Sequence, residues 1–236
     1  MNMKKRSLRQ KRENMKIENN ILKHYLKNVY FITGTAYAGK STAVKMLAEQ
    51  YNMLCCGENY HMEVSEIVAT PETHPDLCYS RSLTDWRDFV KRSPEEYERW
   101  IYAVGREAAE FEIAHLIAVS QTRKVIVDTN IPLDVLKEIS DYHRVAVMLS
   151  PQSMSVERFF DRDDPDKQFL LGVIDSCDDP EAVMENYRRG LARINSREHY
   201  DEYASSGFFA VVREDNGLDT RQEVCDRLAK HFGLEK

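Results

Sequence analysis

Short apolar runs alternate with longer amphipathic stretches along the chain. Between the runs, apolar side chains recur at the three- and four-residue spacing of helices. The runs are rich in β-branched and aromatic residues and have the length of buried strands; they cover residues 29–33, 53–56, 125–127, 144–149 and 208–212. Such alternation is typical of a parallel sheet with helices on both faces. We therefore predict an α/β fold in three layers around a five-stranded parallel sheet.

The helical pattern between the second and third runs has the clearest start signal. Ser93 precedes a proline and two glutamates, and apolar residues then recur at helical spacing from Tyr97 to Val119. Proline at the first position and acids in the first turn are typical of a helix N-terminus. Upstream, residues 58–93 contain several proline breakers and are expected to be irregular. Downstream, residues 180–203 are expected to form one helix.

The first predicted strand leads directly into a glycine-rich motif. Gly34, Gly39, Lys40 and Ser41 fit G-x-x-x-x-G-K-[ST], the Walker A phosphate-binding loop. The glycines permit backbone conformations that let successive N–H groups face one anion, and the following helix adds its positive end. Lys40 would reach the β- and γ-phosphates, and the Ser41 hydroxyl would ligate Mg²⁺. The predicted ATP-binding residues are Gly34, Thr35, Ala36, Tyr37, Ala38, Gly39, Lys40, Ser41 and Thr42.

The third run ends in an acid, as in a Walker B strand. Asp128 follows Val125-Ile126-Val127, and strand ends of a parallel sheet line the ligand crevice. Asp128 is therefore expected beside Ser41, where it would help to hold Mg²⁺. Thr129 stands where ATPases that activate water commonly have a glutamate, which disfavours a motor-type ATPase. The chain also lacks an Asn-Lys-x-Asp or Thr-Lys-x-Asp guanine-reading motif.

Composition narrows the class of protein further. The 236 residues are 42% apolar and 31% charged, which is ordinary for a soluble globular protein. Apolar runs do not approach the length of a membrane span, and the basic N-terminus lacks the apolar segment of a secretory signal. The five cysteines include no C-x-x-C pair. Neither a disulfide framework nor a zinc site is indicated, and a reducing cytoplasm is expected.

Charge is distributed unevenly along the chain. Residues 1–27 contain nine Lys or Arg and two Glu, whereas the whole chain has a net charge of −6. We interpret residues 1–27 as a basic extension that ends in a short helix, and residues 28–236 as one domain. The acidic remainder argues against general nucleic-acid binding. A nucleic-acid or membrane-surface role of the basic arm stays open as an alternative.

With these motifs in this order, residues 28 to 234 resemble the P-loop kinases of small molecules. That superfamily includes nucleoside monophosphate kinases, shikimate kinase, gluconate kinase and antibiotic phosphotransferases. The Walker A loop is the specific part of the resemblance, whereas the remainder is order and spacing. The resemblance implies that a helical insertion, residues 58–120, binds the phosphoryl acceptor. It also implies that residues 157–178 form a lid over ATP.

The resemblance further implies roles for single residues. Glu58, just past the second strand, would contact the acceptor hydroxyl and take its proton. Arg158 and Arg162 would offset charge on the transferred phosphoryl group from the lid. Residues 215–217, an Asp-Asn-Gly turn, lie where such kinases often pack the adenine. Further arginine candidates on the next helix are Arg188, Arg189 and Arg193.

The acceptor stays open because the chain departs from the named families. Gly57-Glu58-Asn59 is not the Asp-x-Asp of shikimate kinase, and residues 128–132 lack the Asp-Gly-x-Pro-Arg of adenylate kinases. The sequence therefore predicts a cytoplasmic kinase, monomeric or homodimeric, that uses ATP and Mg²⁺ on a small molecule. Two alternatives remain: an NTP hydrolase or nucleotide-gated regulator without an acceptor, and a nucleic-acid-associated module.

Overall fold

A computed structural model of the protein describes residues 18–161, 164–214 and 217–235. Its strands are β1 (Val29–Gly34), β2 (Leu54–Cys56), β3 (Val125–Asp128), β4 (Val145–Leu149) and β5 (Phe209–Val212). Its helices are α1 (Asn19–Tyr25), α2 (Lys40–Gln50), α3 (Met62–Val68), α4 (Tyr79–Ser82), α5 (Arg87–Val90), α6 (Pro94–Val119), α7 (Leu133–Ile139), α8 (Gln152–Glu157), α9 (Pro165–Asp175), α10 (Pro180–Ile194), α11 (Arg197–Ala204) and α12 (Arg221–Phe232). A 3₁₀ turn at Tyr142–Arg144 precedes β4. Arg162, most of the basic extension, and Asp215 and Asn216 of the predicted turn lie outside the described residues.

The strands form one sheet in the order β2-β3-β1-β4-β5. All four strand pairs are parallel, which confirms the predicted α/β fold with a five-stranded parallel sheet. β1 is central, between β3 and β4, and Ile32 lies opposite Asp128 in the register. The carboxyl ends of β1, β3 and β4 therefore meet at one edge of the sheet, which is where ligands bind in open parallel sheets.

Alternate residues of β1 enter the two cores on either side of the sheet. Tyr30 and Ile32 belong to an apolar cluster with α2 and α12. Val29 and Phe31 belong to a second cluster with α6 and α7. All four side chains are at most 5% exposed. Because β1 is buried on both faces, it is continuously apolar instead of alternating between apolar and polar residues.

A third apolar cluster lies among the helices of the insertion and those that follow β4. Phe89 of α5 and Tyr97 of α6 pack with Ile174 of α9 and Tyr187 of α10. Ile174 is fully buried there. The residues predicted to form a lid, 157–178, thus include a helix that packs against the predicted acceptor-binding insertion.

Two expectations about helices were wrong. Residues 58–93 contain α3, α4 and α5, which are too short to give a clear periodic pattern. The helix expected over 180–203 is divided, because Asn195 is the C-cap of α10 and Ser196 is the N-cap of α11. The Ser196 side chain accepts a hydrogen bond from the His199 N–H, so the second helix has its own N-cap. Across the described ranges, no helix has both the length and the apolar character needed to cross a membrane.

Candidate functional site

The loop predicted to bind phosphate joins the carboxyl end of β1 to α2. Gly34 has a φ of +130°, and a Cβ at this position would lie 1.9 Å from the Met148 carbonyl oxygen. The next residue donates a 3.0 Å hydrogen bond from the Thr35 N–H to the same oxygen. The loop therefore begins in main-chain contact with β4, at a distance that only glycine permits.

Two main-chain oxygens of the loop and one of its side-chain hydroxyls accept hydrogen bonds from other segments of the chain. The Ser150 and Ser155 hydroxyls donate to the Ala36 carbonyl at 2.5 and 3.0 Å. The Arg213 guanidinium donates to the Tyr37 carbonyl at 2.8 Å. The Ser150 N–H also donates to the Thr35 hydroxyl at 2.8 Å. These contacts attach the loop to Ser150, to Ser155 of α8 and to Arg213 after β5.

The loop ends at an uncapped helix N-terminus. Gly39, the N-cap residue of α2, has a left-handed conformation with a φ of 89° and no side chain to cap the helix. The first N–H groups of a helix lack intrahelical acceptors, and the helix dipole adds positive potential there. Lys40 begins α2, and its Nζ folds back to donate to the Thr35 carbonyl at 3.1 Å. This end of the loop has the polarity to bind an anion.

Ser41 and Asp128, the predicted metal ligands, are in direct contact. The Ser41 hydroxyl donates to Oδ2 of Asp128 at 2.7 Å, although the two residues are 87 positions apart. Asp128 ends β3 and is only 2% exposed. A hydroxyl and a carboxylate are hard oxygen ligands, and Mg²⁺ commonly takes only one or two carboxylates besides phosphates and water. The pair therefore suits Mg²⁺ beside a bound phosphate chain.

A cavity of about 380 Å³ opens beside the loop. Gly39 and Thr42 line it on one side, and Arg213, Gly217 and Leu218 line it on the other. This volume is within the range of small-ligand sites. Gly217 is the described residue of the turn predicted to pack adenine. A second cavity, of about 340 Å³, lies between the start of the loop and α11, and both polar residues such as Ser150 and apolar residues such as Val212 line it.

Two further predicted catalytic residues, Glu58 and Arg158, are exposed. Glu58 is exposed in the turn after β2, and it forms no hydrogen bond or ion pair with another described residue. Because Cys56 of β2 lies opposite Val127 of β3, this turn follows the strand next to Asp128. Arg158 is exposed at the C-cap of α8, and Arg162 is outside the described residues.

One of the further arginine candidates forms ion pairs with another helix. Arg193 of α10 forms ion pairs with Glu95 and Glu98 of α6, at 3.1 and 2.7 Å. Both glutamates lie near the start of α6, so Arg193 links two helices of the insertion cluster. Arg188 and Arg189 are exposed on the same helix.

Sequence reasoning missed a buried carboxylate behind the site. Glu112 of α6 is 2% exposed. It accepts hydrogen bonds from the Tyr60 hydroxyl at 2.9 Å and the Thr129 hydroxyl at 2.5 Å. Burial raises the pKa of Glu112 to about 7, although both hydroxyls act in the opposite direction. The sequence did contain a signal: an acid lies between Phe111 and residue 113 on an apolar helix face. A buried acid in such a position needs hydrogen-bond partners.

Arg213 was also missed. It follows β5, and its main-chain N–H donates a hydrogen bond to the Leu149 carbonyl at 2.7 Å. The residue also lines the cavity beside the loop. A single arginine after a short strand carries no signal in the sequence. Its contact with Tyr37 depends on the neighbouring positions of β4 and β5 in the sheet.

Comparison with known proteins does not assign the chain to a family. No protein-family model matches it, and no curated protein matches it at a significant level.

Proposed function

We propose that this protein is a P-loop kinase that transfers the γ-phosphoryl group of ATP to a small-molecule hydroxyl or phosphate. The observation that carries the proposal is the 2.7 Å contact between the Ser41 hydroxyl and the Asp128 carboxylate at the end of the glycine-rich loop. Two motifs predicted separately from the sequence thereby share one location. The adjoining cavity, which Gly39 and Thr42 line, has room for part of a nucleotide.

In the proposed mechanism, the chain contributes mainly position and charge. The loop N–H groups and the α2 N-terminus would hold the β- and γ-phosphates, and Lys40 would exchange its contact with Thr35 for one with phosphate oxygens. Ser41 and Asp128 would hold Mg²⁺. A bound Mg²⁺ would offset negative charge on the phosphates. Since phosphoryl transfer depends on positioning and electrostatics, these groups account for most of the expected rate enhancement.

The acceptor would approach from the insertion, residues 58–120. Glu58 is exposed at the carboxyl end of β2 and is the proposed base for the acceptor hydroxyl. Arg158 and Arg162 are proposed to serve a lid formed by residues 157–178. A cytoplasmic location is part of the proposal.

An acceptor screen tests the proposal. The full chain is mixed with a non-hydrolysable ATP analogue, Mg²⁺ and one candidate acceptor at a time, and unfolding temperature is measured. A ligand at 100 times its Kd stabilises the native state by about 2.7 kcal/mol. Acceptors that stabilise the protein are then tested for product formation with ATP. We expect phosphorylated product and only slow ATP hydrolysis without an acceptor.

The same assay separates the kinase from the hydrolase alternative. Thr129 follows Asp128, and the nearest buried acid, Glu112, already accepts hydrogen bonds from two hydroxyls. Neither residue supplies the glutamate that motor-type ATPases commonly place after the Walker B acid, so the dependence of ATP turnover on an acceptor decides between the two alternatives. Steady ATP hydrolysis that no acceptor accelerates would contradict the kinase proposal and favour a hydrolase.

A further inference from the structure

A buried hydrogen-bond bridge connects two segments of the proposed site to one helix. Glu112 lies in the second half of α6, and its Oε2 accepts from Tyr60 and Thr129 together. The Thr129 oxygen in turn accepts the Ile131 N–H at 3.1 Å. The carboxylate thus ties the turn after β2 and the turn after β3 to α6. We call this set of residues, Tyr60, Glu112 and Thr129, the bridge.

The bridge residues stand next to residues that have proposed roles. Thr129 directly follows Asp128, whose carboxylate contacts Ser41. Tyr60 is two positions after Glu58 in the same turn. The proposed metal ligand and the proposed base are therefore each one or two residues from a side chain that Glu112 holds.

Packing alone does not require a carboxylate at this position. The neighbours of Glu112 on the inward face of α6 are apolar and belong to the core beneath β3, including Ala109, Ile113 and Leu116. Burying an acid is costly unless it is well hydrogen-bonded, and an apolar residue of similar volume is often as stable. The carboxylate is the group that allows one residue of α6 to accept from two separate turns.

We propose that Glu112 is a positioning residue that couples the turn carrying Glu58 to the turn carrying Asp128 through α6. The expected effect on Mg²⁺ binding rests on the proposed function, whereas the coupling between the two turns does not. Helix α6 also contributes Tyr97, Trp100 and Ile101 to the third apolar cluster. A displacement of the insertion by an acceptor would therefore reach the Asp128 carboxylate through the bridge.

Hydrogen–deuterium exchange on the nucleotide-free full chain tests the coupling. Tyr60→Phe removes one hydroxyl and keeps the ring that packs edge-on to His115 at 5.4 Å. Thr129→Val removes the other hydroxyl and keeps the side-chain shape, and Thr129→Ser is the matched control that retains the hydroxyl. We expect Tyr60→Phe to increase exchange in residues 128–131, and Thr129→Val to increase it in residues 58–62. Faster exchange in the substituted turn alone would overturn the proposal.

Binding of Mg²⁺ with a non-hydrolysable ATP analogue tests the consequence. Residues that orient metal ligands typically change metal affinity by about 10–100-fold when they are replaced. We expect Thr129→Val and Glu112→Gln to raise the Mg²⁺ concentration for half-maximal binding by about tenfold. Thr129→Ser and metal-free analogue binding should be near wild type. Variants that only lower the unfolding temperature would show a structural role and overturn the proposal.

The two proposals fail in different ways. If the wild-type chain binds no nucleotide analogue but the two turns exchange together, the kinase proposal fails and the coupling stands. If nucleotide binds but the turns exchange independently, the coupling fails and the kinase proposal stands. Should Glu112→Gln not fold, the milder hydroxyl variants decide the question, because Tyr60→Phe removes one hydrogen bond and Thr129→Val removes two.

Discussion

The two sides of the proposed site are shaped by different groups: the main chain on one side and side chains on the other. On the loop side, residues 34–41, the shape comes from the main chain: a left-handed glycine, carbonyl groups held by serine hydroxyls, and a helix N-terminus. On the insertion side, the turns after β2 and β3, the shape comes from buried side chains that meet at Glu112. A main-chain site is sensitive to added volume, whereas a side-chain site is sensitive to lost hydrogen bonds. Substitutions can therefore separate the two sides.

Gly34→Ala is expected to have the largest effect. The new Cβ would lie 1.9 Å from the Met148 carbonyl oxygen, and the φ of +130° is unfavourable for alanine. We expect a loss of about 4 kcal/mol or more in the free energy of unfolding, measured by urea denaturation. Gly57→Ala is the matched control, because no atom lies within 4 Å of its added Cβ. Wild-type stability of Gly34→Ala would contradict the close approach of the loop to β4.

Lys40→Ala tests the loop side without adding volume. Among the described residues, the Lys40 side chain forms one hydrogen bond, to the Thr35 carbonyl, so we expect an almost unchanged unfolding temperature. Phosphoryl transfer should fall by about 100-fold or more, as when one preorganised charge-stabilising donor is removed. Lys45→Ala, on the exposed face of the same helix, is the control and should transfer at the wild-type rate. Equal activity of the two variants would refute the proposed role of Lys40.

Asp128→Asn tests the point where the two sides meet. The substitution preserves the shape of the side chain that accepts from Ser41 at 2.7 Å, and it removes the negative charge. We expect the Mg²⁺ requirement for binding of the ATP analogue to rise by at least about tenfold. Binding without Mg²⁺ should not weaken, because the proposed phosphate contacts are those of the loop. An unchanged Mg²⁺ requirement would exclude Asp128 from the metal site.

His231 lies away from both sides of the proposed site, and its replacement is expected to have the smallest effect. Its Nε2–H donates to the Val145 carbonyl at 2.9 Å, at the opposite end of β4, and its ring stacks on Phe209 at 4.4 Å. Burial lowers the pKa of His231, against the effect of the carbonyl hydrogen bonds. The folded state therefore binds a proton on His231 less well than the unfolded state does. The stability that the neutral ring contributes is present at higher pH and is lost as the pH falls below about 6.5.

His231→Gln isolates that contribution. At pH 8 the variant should be less stable than wild type by about 1 kcal/mol, because it loses the ring contacts. The difference should narrow as the pH falls towards 5, whereas analogue binding at pH 8 should be unchanged. A difference that is constant with pH would show that His231 titrates alike in both states.

Strand positions and the long helix could be predicted because their signals are local. The five strands lie within a residue or two of the predicted runs, and Ser93 and Glu96 form the capping box that begins α6. Helices α3 to α5 could not be predicted, since helices of four to seven residues are marginal alone and depend on tertiary packing. Phe89 of α5, for example, is 5% exposed within the helical cluster.

The sequence alone determined the α/β class and the residue types of the loop side, because a strand, two glycines, a lysine and a helix start are contiguous in the chain. It also predicted Asp128 beside Ser41, because both follow strands of a parallel sheet; the sheet register, with Ile32 opposite Asp128, is what makes the contact direct. The bridge through Glu112 was decided entirely by tertiary structure. Its three residues come from the turn after β2, from α6 and from the end of β3, and a hydrogen bond between such distant segments leaves no periodic or contiguous pattern in the chain.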